Sequence, residues 1–188
     1  MSSLITRAAE GFDRRLFTVD EILRMQEVGI ISPDENFELV EGEIVPIQAK
    51  SHFHELIKLT LNIRLARALP PDLWLGIESS LYFSERTFLE PDLSVYPRGI
   101  KLESVKGSDV ILAIEVSAST LTYDRGLKAQ LYAKYGVQEL WVIAVEKRRT
   151  FQHRMAQNSM WQSMATRDAD YELRIDAIPG FSVKLSEI

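Results

Sequence analysis

The sequence predicts an α/β (α+β) fold, in which a mixed central β-sheet is flanked by helices and preceded by an N-terminal helix and a β-hairpin. The first indication is the order strand, helix, strand across 110–145, because a crossover of this kind joins parallel strands. The second is a long helix after Ser51, whose apolar stripe must pack against a sheet. The 188 residues and ordinary Gly and Pro content favour one folded domain. We therefore expect a flexible N-terminal arm over 1–16 and a single domain over 17–188.

The N-terminal extension is defined by local signals. Thr18 can cap a short helix whose apolar face begins at Ile22, and Gly29 ends it. The segment 37–45 reads as two short strands folded about Glu41-Gly42, where glycine supplies the positive φ of a tight turn. The sequence therefore predicts a helix followed by a hairpin.

The long helix and the strands after it form the first half of the predicted core. Pro70 stops the helix, since proline removes a donor and clashes with the preceding turn. Its apolar face repeats every four residues, at Phe53, Ile57, Leu61 and Leu65. Short apolar runs predict strands at 73–79, 81–83 and 92–96.

The second half of the chain predicts a βαβ crossover. Val110–Val116 is almost continuously aliphatic, as a strand buried on both faces requires. A helix over 121–135 ends at Gly136, where a left-handed cap is needed, and a second buried strand follows at 140–145. Edge strands are predicted on either side of a polar tip at 156–159, over 150–155 and 171–175.

Composition excludes several classes of function. The net charge of −5 excludes a strong overall positive field, so any nucleic-acid site must be a local patch. The absence of cysteine excludes disulfides, thiolate metal sites and cysteine nucleophiles. No apolar run approaches the roughly 20 residues of a membrane helix, and no signal-peptide core is present. We expect a cytoplasmic protein without a membrane partner.

Two carboxylates stand where burial makes them costly. Asp92 follows Pro91 at the start of a strand, and Glu115 lies near the end of the most apolar strand. Buried carboxylates need hydrogen bonds, a cation or a metal, so this pair suggests a magnesium site. On spacing alone, a turn at Asp92 and a salt-bridged strand end at Glu115 explain the pattern equally well.

The residues around this pair resemble a known family. Pro91-Asp92, the 22 residues 93–114 and then Glu115-Val116-Ser117 resemble the two-carboxylate signature of the PD-(D/E)XK nuclease superfamily. More closely, the chain from about Phe17 to Ile188 is similar to the Uma-type restriction endonuclease family, common in cyanobacteria. The matching segments are 37–44, Glu115-Val116-Ser117-Ala118-Ser119-Thr120, Tyr123-Asp124, Lys128, Tyr132-Ala133, Gly136-Val137, Glu139-Leu140-Trp141 and Ile178-Pro179-Gly180-Phe181.

The resemblance implies a restriction-endonuclease-like core and a Mg²⁺-dependent endonuclease that hydrolyses DNA, with Mn²⁺ as a second candidate ion and no organic cofactor. Asp92, Glu115 and the backbone carbonyl of Val116 would hold the metal. Ser117 stands where the superfamily carries its catalytic lysine, and Lys128 matches the helical lysine that substitutes for it. The implied catalytic set is Asp92, Glu115 and Lys128, although Lys128 also reads as an ordinary surface lysine.

A second hypothesis is a catalytically inactive nuclease-fold protein that acts as a nucleic-acid or protein binding module. The missing triplet lysine and the acidic net charge favour it slightly. We expect a homodimer, because duplex cutting requires two scissions and a two-fold dimer would present two sites at once.

Other polar residues are weaker candidates. His54 either faces the site or caps and packs at the start of its helix, and the three histidines do not predict a zinc site. Ser117, Ser119 and Thr120 lack a nucleophile elbow and suit helix capping instead. A third carboxylate has four candidates: Glu38, Glu41, Glu43 and Glu78. The candidate phosphate-binding residues are Lys50, Lys58, Arg64, Arg67, Arg98, Lys101, Lys106 and Arg125.

Overall fold

A computed structural model of the protein describes residues 14–32, 34–47 and 50–188. The predicted arm over 1–16 therefore lies outside the described residues except for its last three. No helix in this described part of the chain is long and apolar enough to span a membrane.

The chain divides into two compact units, one within 1–47 and 84–88 and the other within 48–83 and 89–188. The single domain over 17–188 stays a prediction. The helices and strands run in this order: α1 (Val19–Glu27), β1 (Phe37–Val40), β2 (Glu43–Pro46), α2 (His52–Ala68), β3 (Leu73–Ile77), β4 (Leu81–Ser84), β5 (Thr87–Leu89), β6 (Leu93–Pro97), β7 (Leu112–Ser117), α3 (Leu121–Tyr123), a π-helical turn (Asp124–Lys128), α4 (Ala129–Lys134), β8 (Glu139–Ala144), β9 (Arg149–Gln157), β10 (Met160–Asp168), β11 (Leu173–Ile175) and β12 (Ile178–Val183).

The first unit contains the predicted helix and hairpin. Thr18 and Glu21 form a capping box at the start of α1: Glu21 N–H donates to Thr18 Oγ1 at 3.2 Å, and Thr18 N–H donates to Glu21 Oε2 at 3.0 Å. The β1–β2 turn places Glu41 at φ 52° and Gly42 at φ 88°, as a tight hairpin with two left-handed residues requires. Both predictions are confirmed.

The second unit is built on a six-stranded mixed sheet in the order β10-β9-β8-β7-β6-β3. The strands β7 and β8 are parallel, with Glu115 opposite Val142, and the helical segment 121–134 connects them. The predicted βαβ crossover is therefore present. Its helix differs from the prediction of a regular helix, because the five residues from Asp124 to Lys128 form a π-helical turn.

One hydrophobic core of the second unit lies between this sheet and α2. Ile57, Leu61 and Leu65 of α2 pack against the aliphatic residues of β6 and β7, and Trp141 of β8 contacts Phe181 of β12 with ring centroids 6.1 Å apart. Such burial supplies most of the free energy that favours folding.

The buried stripe of α2 begins at His54, one residue later than the predicted Phe53. Phe53 is 69% exposed, whereas His54 is buried. A helix turns every 3.6 residues rather than every four, so a stripe through Leu65, Leu61 and Ile57 continues to position 54.

The C-terminal strand pairing also differs from the prediction. The partner of β9 across the polar tip is β10, with Trp161 opposite Ala156, and not the segment 171–175. That segment contributes β11, which pairs with β12. The prediction missed β10 because its residues are mostly exposed, so the strand lacks an apolar alternation.

Candidate active site

Two adjacent strands carry Asp92 and Glu115 to the same place. Asp92 directly precedes β6, and the β6–β7 register pairs Leu93 with Ile114. Continued by one residue, this register sets Asp92 opposite Glu115, and opposed side chains lie on one face of a sheet. The N–H of Val116 donates to Asp92 Oδ2 at 2.8 Å. The structure thus brings together the two carboxylates singled out in the sequence, which are 5% and 4% exposed.

Asp92 is surrounded by donors. His54 Nε2 lies 3.2 Å from Asp92 Oδ2, and Lys50 Nζ lies 3.1 Å from Oδ1. Burial raises the pKa of Asp92, but the hydrogen bond and charge of His54, the charge of Lys50 and the Val116 N–H outweigh it and lower the pKa to about 2. Asp92 is therefore an anion at neutral pH. Of the two interpretations of His54, contact with the site is the one observed, because its ring lies against Asp92. The cap of α2 is supplied by Ser51 instead.

Glu115 is paired with the residue predicted as the substitute lysine. Lys128 Nζ lies 2.9 Å from Glu115 Oε1, and the Tyr132 hydroxyl donates to the same oxygen at 2.5 Å. Lys128 is buried, so the reading of an ordinary surface lysine is wrong. The π-helical turn ends at Lys128 and α4 carries Tyr132, so the crossover helix supplies both donors.

The hydroxyls at the end of β7 hold the start of the crossover helix through a buried aspartate. Ser117 Oγ and Thr120 Oγ1 both donate to Asp124 Oδ2, at 2.7 and 2.6 Å. Thr120 makes no side-chain bond to a helix N–H, so the prediction that its hydroxyl caps the helix is wrong: the hydroxyl binds the Asp124 carboxylate instead. The sequence predicted no structural role for Asp124. Its position shortly after Ser117, Ser119 and Thr120 could have indicated hydrogen bonds between its carboxylate and these hydroxyls.

Glu78 is the candidate third carboxylate that the structure brings to Asp92. It follows β3 with φ 48°, its N–H donates to the Asp92 carbonyl oxygen at 3.2 Å, and its carboxylate contacts Lys50 and Lys58, the latter at 2.6 Å. Burial raises the pKa of Glu78, but these two lysines lower it more. Its left-handed backbone is uncommon for a residue with a side chain, and no sequence pattern signals it.

The three hairpin candidates for the third carboxylate lie in the first unit. Glu38 is buried, contrary to the prediction of exposed hairpin charges, whereas Glu41 and Glu43 are exposed. Glu43 forms an ion pair with Arg14 at 3.1 Å.

Of the predicted phosphate-binding residues, the structure brings Lys50 and Lys58 to the site. Arg64 pairs with Glu187 at 2.8 Å. Arg98 lies over the Trp74 ring at 4.1 Å, and Arg125 lies over the Phe151 ring at 3.6 Å. The remaining three are exposed on the surface: Arg67, Lys101 and Lys106.

The donor chemistry of the site fits a hard divalent cation. Asp92 and Glu115 offer carboxylate oxygens, the ligands that Mg²⁺ prefers, and each already binds a lysine ammonium group. Within 14–32, 34–47 and 50–188, no group of three or more His, Asp or Glu side chains is gathered into a ready metal cluster.

The mixed α+β fold, with its large mixed sheet and few helices, matches a solved nuclease-like structure. The chain is similar to a protein from Anabaena variabilis ATCC 29413 whose structure is described as that of "a putative nuclease belonging to DUF820". The two match with a TM-score of 0.71 at 16% identity, over 91% of this chain and 96% of that one. Among curated proteins, no sequence matches this chain.

The family follows from the sequence itself. The family model described as "Uma2: Putative restriction endonuclease" matches residues 19–186, nearly the whole chain. The protein therefore belongs to the Uma2 family, as the resemblance predicted.

Proposed function

We propose that the protein is a Mg²⁺-dependent endonuclease that hydrolyses phosphodiester bonds of DNA. The observation that carries this proposal is the pair of buried carboxylates at adjacent strand positions, with buried Lys128 2.9 Å from one of them. Burying ionisable side chains costs several kcal/mol for each ion, and pairing offsets this cost only in part, so apolar residues of similar volume are often neutral or stabilising in their place. A buried cluster held at such a cost favours a functional role.

Asp92, Glu115 and the backbone carbonyl of Val116 would hold Mg²⁺, with Mn²⁺ as a second candidate. When bound, the ion would lower the pKa of water and neutralise charge on the phosphodiester. The protein keeps Asp92 ionised and holds both carboxylates in place: His54 and the Val116 N–H hold Asp92, and the Tyr132 hydroxyl holds Glu115.

Lys128 would stabilise the negative charge that develops on the phosphoryl group. Its ammonium is buried beside Glu115, and a fixed cation at low local dielectric is worth more to a transition state than one in water. Lys50 and Lys58 lie on the α2 side of the site, where each is paired with carboxylates of the same region. Phosphate contacts by either lysine would therefore require it to leave a carboxylate partner.

The working form of this enzyme would be a homodimer. Helix α2 carries a second apolar stripe, opposite its buried one, and these side chains are exposed: Phe53, Leu56, Leu59 and Ile63. Exposed apolar side chains that share one helix face favour a protein interface there. A second copy of this chain is suited to it, because the stripe is uncharged and an antiparallel pair of α2 helices about a two-fold axis would place it against itself.

The alternative is an inactive binding module, favoured by Ser117 at the position of the triplet lysine. Calorimetric titration of Mg²⁺ and Mn²⁺, together with plasmid nicking, separates the two on the wild type, D92N, E115Q and K128M. The exposed Lys147 provides the control variant K147M.

We expect D92N and E115Q to lose metal binding and nicking. K128M should still bind metal while its nicking rate falls by about 10²–10³, the usual loss for one charge-stabilising group. K147M should match the wild type. A folded wild type that binds DNA, takes up neither ion and never nicks would contradict the nuclease and support the binding module.

A further inference from the structure

Lys50 lies between two carboxylates of the candidate active site. Its Nζ is 3.1 Å from Asp92 Oδ1 and also contacts Glu78 Oε1. An ammonium group that bridges two carboxylates takes the kind of position that a bound divalent cation would take. The protein's own Lys50 thus supplies positive charge between these two carboxylates.

Glu78 is a firmly anchored partner for this ammonium group. Lys58 Nζ holds the same carboxylate oxygen at 2.6 Å, and the Glu78 N–H is bonded to the Asp92 carbonyl oxygen. The left-handed φ of 48° at Glu78 persists only where surrounding contacts fix it. Lys50 thus has a second binding position close to the first.

Lys50 and Lys128 differ in their exposure to solvent, and so in their freedom to move. The Lys128 side chain is 6% exposed, whereas that of Lys50 is 26% exposed. Lys50 can leave Asp92 and still be paired with Glu78. Asp92 would then keep His54 and the Val116 N–H, so neither group would become an unpaired buried charge, which is the main cost of breaking such a pair.

If a divalent cation and the Lys50 ammonium group both bound the Asp92 carboxylate, they would repel each other. Both are positive, and two like charges at contact distance in a partly buried site repel strongly. Binding of one therefore opposes binding of the other, and the opposition is reciprocal.

We propose that Lys50 is a built-in counter-cation of Asp92, which holds the carboxylate in the metal-free protein and withdraws toward Glu78 when a divalent cation binds. This inference rests on the proposed metal site. It makes Lys50 a residue that lowers metal affinity and stabilises the metal-free form, so the site loads only at a higher cation concentration than its carboxylates alone would need.

The first test is Mg²⁺ and Mn²⁺ affinity, measured by calorimetry on the wild type, K50M, K50R and the control K147M. We expect K50M to bind the ions about tenfold more tightly, within the usual range of coupling between two ligands. K50R keeps the charge and should stay near the wild type, as should K147M. Structural damage would weaken binding, so a gain in affinity is specific to competition.

The outcomes separate this inference from the proposed function. If the wild type binds metal and K50M binds it equally or more weakly, the counter-cation role is wrong while the metal site stands. If neither protein binds either ion, both proposals fail.

A second test uses the wild type alone and so does not depend on the folding of K50M. Reductive methylation of lysine amines is followed by mass spectrometry with and without saturating Mg²⁺. Labelling of Lys50 should rise when metal binds, and labelling of Lys147 should not change. Unchanged Lys50 labelling under conditions where calorimetry shows binding would overturn the inference.

Discussion

At the residue scale, each buried carboxylate of the site depends on specific partners. Glu115 is held by Lys128 and by the Tyr132 hydroxyl. Removing the cation leaves a buried carboxylate poorly compensated, which typically costs 3–5 kcal/mol. Removing a hydroxyl that donates one hydrogen bond costs about 1–3 kcal/mol.

We therefore expect metal-free K128M to unfold with about 3 kcal/mol less free energy than the wild type, and Y132F with a smaller loss of about 1 kcal/mol. Urea denaturation in EDTA measures both. Added Mg²⁺ should restore part of the stability of K128M, because a cation at Glu115 replaces the lost charge. Equal losses in the two variants would argue against a dominant Lys128–Glu115 pair.

His153 makes stability depend on pH. It is buried, its ring packs against Trp161 at 5.6 Å, and neither ring nitrogen has a hydrogen-bond partner in the part of the chain that the structure describes. Burial lowers the pKa of His153, and the charge of Arg125 lowers it further, to about 4. The folded protein therefore resists protonation of His153 while the unfolded chain accepts it.

Because folding lowers the pKa of His153, its contribution to the free energy of unfolding is fully present above about pH 6.5 and is lost as the pH falls toward 4. We expect a loss of about 2 kcal/mol across this window, allowing for partial solvent screening. H153F keeps the ring contact with Trp161 and should lack this part of the decline. Urea denaturation at pH 7 and pH 4.5 checks it, and identical declines in both proteins would contradict the assignment.

Gly107 permits a close backbone approach. A Cβ atom there would lie 2.3 Å from the Tyr135 carbonyl oxygen, which belongs to the backbone and cannot move aside cheaply. G107A should therefore destabilise the protein by about 2–3 kcal/mol, as overpacking does. At Gly99 a Cβ would meet nothing within 4 Å, so G99A is the matched control. Thermal melting compares them, and a neutral G107A would show that the 107–109 turn yields.

At the element scale, the parts predicted correctly are those whose signals are local. The predicted Thr18 cap of α1 depends only on residues within one turn, and the hairpin turn depends only on Glu41-Gly42. The βαβ crossover is marked by two strands buried on both faces, since such strands read as continuous apolar runs.

The elements that were missed depend on partners distant in sequence. The strand β10 is mostly exposed and owes its conformation to its ladder with β9. The π-helical turn at 124–128 lacks a sequence period of its own. It lies where Asp124 accepts from Ser117 and Thr120, contacts that only the folded chain creates.

At the scale of the whole molecule, some residues of the candidate site could be predicted from the sequence and others could not. Asp92, Glu115 and Lys128 could be proposed from the sequence because a carboxylate in an apolar strand is costly and the family resemblance placed the lysine. The bridge from Lys50 through Glu78 to Lys58 could not, since it joins the segment before α2, α2 itself and the end of β3. These three side chains meet only when the chain has folded.

The proposed homodimer gives a prediction at this scale. Replacing Leu59 by glutamate puts a charge in the exposed α2 stripe, so L59E should sediment as a monomer at concentrations where the wild type is a dimer. M164E, at an exposed position on β10, should not change the sedimentation coefficient. A monomeric wild type, or a dimeric L59E, would exclude this stripe as the interface.

The three tryptophans lie at three different depths in the second unit. Trp141 is fully buried, Trp161 is partly buried and donates to the Ala129 carbonyl oxygen, and Trp74 is half-exposed beneath the Arg98 guanidinium. Because a cation draws anions toward it, iodide should quench the fluorescence of Trp74 first and leave the emission of Trp141 at short wavelength. The protein thus carries an intrinsic optical probe of the β3 edge, which reports changes there separately from unfolding of the core.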